Sequence, residues 1–126
     1  MSKNKPEEAP EHVLEESVTL DTPTPGWVAP AAPELLGRAA AHMHERAKTY
    51  DAPEGERSMG RAVQAFNAIT GHNLIESEGW LLLQVLKDVR NFSRGKPHPD
   101  SLEDCIAYAA LKAEAEMRRL SEWVDR

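Results

Sequence analysis

At 126 residues the chain has room for one domain of ordinary size and not for two. It is 40% hydrophobic but only 6% aromatic, a balance that suits helices packed through alanine and leucine. Its net charge of −6 gives no concentrated basic surface, so direct nucleic-acid binding is not expected. No run of about eighteen apolar residues occurs, which argues against a membrane-spanning helix. No signal-like apolar core follows Met1, and the one cysteine, Cys105, falls inside a helical apolar repeat. A cytoplasmic protein with a shielded thiol is expected.

Residues 1–33 hold six of the nine prolines, and their charges sum to +2 − 6 = −4. Such a segment buries too little apolar surface to offset its ordering entropy, so a flexible, disordered tail is expected, with a transient helical turn around Glu11 to Val18. Trp27 is the exception in this tail, and packing against the chain's own core is expected of it. The helical domain then occupies residues 34–126.

The first helix starts at Pro33 and carries Leu35, Leu36, Ala39, Ala40, Met43 and Ala47 to about Tyr50. The loop Asp51-Ala52-Pro53-Glu54-Gly55 ends it. A second helix spans about Ser58 to Ile69 and is closed by Gly71. The third begins near Ser77 and carries Trp80, Leu82, Leu83, Val85, Leu86, Val89 and Phe92. Apolar nearly all round in its first two turns, it is predicted to be the central helix. After the stiff loop Arg94 to Pro99, a fourth helix runs from Ser101 to about Val124. Its stripe is Leu102, Ile106, Ala109, Ala113, Met117, Leu120 and Val124. Short connections between four such helices predict an all-α, compact four-helix bundle. The stripe continues through Met117, Leu120, Trp123 and Val124 beyond the bundle, where a second copy of the chain would bury it; a homodimer is expected.

The start of the fourth helix concentrates acids. Asp100 is an N-cap candidate, Glu103 three positions later completes a capping-box pattern, and Asp104 falls one turn beyond Asp100. In an antiparallel pairing, the late part of the third helix brings Asp88, Lys87 and Arg90 beside them. Two uses are open to this set. The carboxylates of Asp88, Asp100, Glu103 and Asp104 are hard oxygen ligands suited to Mg²⁺, with Lys87 and Arg90 as phosphate-binding cations. The same charges also serve as a cap and interhelical salt bridges. Tyr50 and Asp51, at a helix end, are candidates to cover a base or sugar, or else to pack and cap a turn. No nucleophile elbow, Ser-His-Asp order or glycine-rich phosphate loop is present, and no catalytic residue is assigned.

The blocks Tyr50-Asp51 through Met59, Gly79-Trp80-Leu81-Leu82-Leu83-Gln84-Val85-Leu86-Lys87-Asp88-Val89-Arg90, and Asp100 through Leu111 resemble small phage and prophage proteins of unassigned function. The resemblance covers about residues 41–116. The stretch Leu102-Glu103-Asp104-Cys105-Ile106-Ala107-Tyr108 also resembles the second motif helix of MazG-like all-α nucleotide pyrophosphohydrolases, with Asp104 on the motif aspartate. That resemblance implies Mg²⁺ held by acids on two helices and a nucleoside triphosphate cut to monophosphate and pyrophosphate. The chain departs from the pattern at Ser101, which stands where a glutamate belongs, and at Gln84 and Lys87, which stand where the first acidic pair belongs. Two functions are therefore expected in competition. One is a phage-type accessory protein with a MazG-like scaffold that binds, or hydrolyses, a nucleotide with Mg²⁺. The other is a non-catalytic protein-binding module that engages or inhibits a host protein through its acidic proline-rich tail and Trp27, folding on binding.

Overall fold

The computed structural model of the chain describes residues 24–50 and 58–125, which form four α-helices with no strand among them: α1 (Ala32–Tyr50), α2 (Met59–Thr70), α3 (Glu76–Phe92) and α4 (Pro99–Val124). Each boundary has a local cause. Pro33 and Glu34 occupy the first turn of α1, where a missing N–H costs nothing and a carboxylate favours the helix dipole. Gly71 ends α2 at φ +79°, a left-handed conformation that glycine adopts freely, and its N–H donates to Asn67 O at 2.8 Å. The Asn67 amide then clamps the connection to α3. Its Nδ2 donates to Leu74 O and its Oδ1 accepts from Leu74 N–H, both at 2.9 Å. At the start of α3, Glu78 reaches back to accept the Ile75 N–H at 2.9 Å.

The fourth helix starts two residues earlier than its sequence suggests, and the capping-box reading of Asp100 and Glu103 is corrected. Pro99 holds the first helical position and His98 the flanking one. Asn91 fixes that start by accepting the His98 N–H at 2.8 Å, and His98 Nδ1 lies 2.6 Å from Ser101 Oγ. Asp100 therefore sits inside the first turn, where its charge complements the helix dipole, and Glu103 is free to bridge to another helix.

α3 and α4 form an antiparallel pair, the most extensive packing among the described helices; α1 lies against α4 and α2 against α3. The core is small. Trp80, Leu111 and Ala115 form it, with Met43, Met59, Leu83 and Tyr108 packed around them. Trp80 stacks on Tyr108 with ring centroids 5.8 Å apart. Close approach of α2 depends on Gly79, where an added Cβ would lie 2.9 Å from Val63 Cγ2 and collide with Met59.

Three expectations about packing are corrected. On α3 the buried positions are Ser77, Gly79, Trp80 and Asn91, while Leu82, Val85, Leu86, Val89 and Phe92 are exposed. On α4 the buried positions are Ser101, Leu111 and Ala115, whereas Leu102, Met117, Leu120 and Val124 of the predicted stripe are exposed. Trp27 does not dock on the core. It is 57% exposed in a turn closed by its N–H to Thr24 O at 3.0 Å, with Gly26 at φ +88°. The expected transient helix at Glu11 to Val18 and most of the expected tail lie outside the described residues. No described helix is long and apolar enough to cross a membrane.

Candidate functional site

The acidic residues at the start of α4 meet α1 across a cleft of about 360 Å³ lined by His42, Glu45, Arg46, Asp100, Glu103 and Asp104. Glu103 holds the two helices together. Its carboxylate lies 3.6 Å from Arg38 Nη1 and 3.2 Å from His42 Nδ1. Asp104 turns the other way, to Lys87 on α3, at 2.8 Å, with only 14% of the lysine side chain and 25% of the aspartate side chain exposed. Asp100 is exposed at the rim. The cleft is lined by four carboxylates, and Arg38, Lys48 and Lys87 ion-pair with three of them, Glu103, Glu45 and Asp104.

The remaining residues of the expected site lie elsewhere. Asp88 is on the side of the α3–α4 pair opposite Lys87–Asp104, and its Oδ1 accepts from Cys105 Sγ at 3.5 Å. Gln84, at one of the motif positions, brings its Nε2 within 4.0 Å of the same sulfur. Arg90 is exposed. The Tyr50 side chain and Asp51 lie outside the described residues. The structure thus joins Lys87 with Asp104 and places Asp100, Glu103 and Asp104 around one cleft that Asp88 does not line. Among the described residues no three His, Cys, Asp or Glu side chains come together to hold a metal ion. The oxygen set that Mg²⁺ needs is not assembled by these residues, since one acid faces a thiol and another an ammonium group.

A second ionic cluster joins the far end of the pair. Glu76 accepts from both Arg118 guanidinium nitrogens at 3.1 Å and from Trp80 Nε1 at 3.4 Å. Glu116 accepts from Ser77 Oγ at 2.6 Å and from Arg119 at 3.0 and 2.8 Å. The hydrogen bonds from Arg119 and Ser77 lower the Glu116 pKa to about 2. Burial, followed by the hydrogen bond and the negative charge of Asp88, pushes the Cys105 thiol up, which makes it a weak nucleophile.

Sequence reasoning found only the α4 end of the open side of the α3–α4 pair, at Leu120, Trp123 and Val124, and missed its α3 half. Lys87–Asp104 adjoins the cleft beneath α1, and Glu76 lies beside α2, where a Cβ on Gly60 would sit 3.5 Å from its Oε1. Both flanking helices therefore cover one side. On the other side the Asp88–Cys105 contact runs between two exposed apolar stripes. Leu81, Val85 and Phe92 share with Asp88 the spacing 81, 85, 88, 92, and Leu102, Leu120 and Trp123 fall on the stripe of Cys105 and Glu116. The signal was present in the sequence as a 4-3-4 spacing that excludes Trp80 and Leu111. Comparison of the chain with protein-family models, with curated proteins and with solved structures finds no match.

Proposed function

We propose that this protein is a non-catalytic helical interaction module whose working surface is the open apolar side of the α3–α4 pair. The observation that supports the reading is that side itself, where Phe92 is 80% exposed and its neighbours along the stripe are also open. Monomeric surfaces rarely leave apolar stripes of this length uncovered; they mark contacts with other macromolecules. The arrangement of the acids points the same way, because Asp88 and Asp104 each engage a partner within the chain.

A second reading retains the MazG-like scaffold as a nucleotide binder, with Mg²⁺ recruited by the acids of the α1–α4 cleft. The concavity and the presence of Asp100, Glu103 and Asp104 in it favour that reading. Titration calorimetry with deoxynucleoside triphosphates and Mg²⁺ decides between them. The interaction-module reading expects no heat and no pyrophosphate release. Nucleotide binding that Asp104→Asn abolishes would reverse it in favour of the hydrolase-like scaffold.

A further inference from the structure

The partner that the open side fits can be specified, on the premise that this side is the working surface. We infer that it is covered by the same side of a second copy of the chain, related by a two-fold axis, so that two α3–α4 pairs build one four-helix core.

Three observations lead there. The first is the period. The α3 stripe (Leu81, Val85, Phe92) and the α4 stripe (Leu102, Leu120, Trp123) repeat at three and four residues, the spacing with which helices interlock at shallow angles. A layer of two such helices is matched by another layer of two, and an isologous contact supplies it from the same sequence. The second is the area. With Val89 and Val124 the side presents eight large apolar residues, 38% to 80% exposed and about half exposed on average. At roughly 60–120 Å² of apolar surface per fully exposed large side chain, they offer roughly 250–550 Å² at this exposure. A standard interface covers about 800 Å² per partner, of which about 60% is apolar, or roughly 480 Å². The upper part of that range reaches what a standard interface needs without help from α1 or α2. The third is the direction of packing within the chain. α1 and α2 lie against the ion-paired side, and the α3–α4 seam of a single chain buries Trp80, Leu111 and Ala115 beside Ser77, Asn91 and Ser101, leaving Leu81, Val85, Val89 and Phe92 of α3 outside it. The leucine-, valine- and phenylalanine-rich core that α3 carries in its sequence is completed only between two copies.

Ala109 and Ala113 lie between Leu102 and Leu120 on the α4 stripe, so small residues occupy its middle and large ones its ends. Two copies crossing near those alanines approach closely there and pack their large side chains outward from the axis.

Sedimentation velocity on the full chain, with helicity followed by circular dichroism, tests this. The wild type is expected to sediment as a dimer at micromolar concentration. Val85→Asp and Leu120→Asp are each expected to yield helical monomers with dissociation constants raised at least a hundredfold. Ile69→Asp, an equally exposed apolar position on α2, is expected to leave the dimer intact. A dimer that survives both Val85→Asp and Leu120→Asp overturns the assignment of this side. If the wild type is a monomer throughout, binding of an apolar dye separates two failures. Dye bound by the wild type and lost in Val85→Asp overturns the second copy as occupant but keeps the side as an interaction surface. A monomer that binds no dye overturns both.

Discussion

The two sides of the α3–α4 pair are made from the same two helices and have opposite chemistry. One side is closed by α1 and α2 and tied by Lys87–Asp104, Glu103 with Arg38, and Glu76–Arg118. The other presents exposed apolar stripes among the described residues, with the Asp88–Cys105 contact and Glu116 set between them. Ion pairs of partial exposure contribute little net stability, and what they give is a fixed register of one helix on the next. Apolar stripes contribute area without direction. The contrast therefore assigns different tasks: the ionic side sets how the helices of one chain are arranged, and the apolar side offers burial beyond that of the small core seen among the described residues.

Substitution separates the two tasks. Trp80→Ala removes the largest piece of the closed core and should lower unfolding free energy by about 3–5 kcal/mol. In urea titrations that loss should persist at every protein concentration. Val89→Ala, on the open side, should act only through the part of the stability that rises with protein concentration. A concentration-independent loss from Val89→Ala would show that the open side is covered from within the chain. Asp104→Ala leaves the Lys87 ammonium largely shielded and unpartnered, with an expected cost of about 1–2 kcal/mol by the same measurement. The smallest effect concerns acid. Because the Glu116 pKa falls from 4.5 unfolded to about 2 folded, its contribution to stability is fully present above pH 4.5 and is lost as pH falls toward 2. Glu116→Gln should flatten the decline of the thermal midpoint across that window. A decline of unchanged steepness would show that other carboxylates govern it.

The helices were legible in the sequence because some of their ends carry strong local signals: Pro33 stands in the first turn of α1 and Gly71 closes α2. The start of α4 was legible only in part, because Asn91, seven residues upstream, fixes His98 and moves the helix start away from Asp100. The facing of α3 was not legible. Apolar periodicity tells which residues share a face and says nothing of which neighbour covers it, so Leu82 and Val85 were assigned to the chain's own interior. The pairing of Lys87 with Asp104 followed from an antiparallel arrangement, but the separation of Asp88 depended on the 100° between successive residues and on which side α1 occupies. The candidate site was thus half recoverable: its members on α4 were found, and the division of the acids between two sides required the packed helices.

The three tryptophans fall one to each setting. Trp80 is stacked in the core on Tyr108, Trp123 stands exposed on the open side near the end of α4, and Trp27 is exposed in the turn before α1. Indole emission moves to shorter wavelength when water is excluded, so the chain carries its own optical labels. Single-tryptophan variants would resolve loss of the fold, contact at the open side and engagement of the leading segment as three distinct spectral events, without a dye attached to any of them.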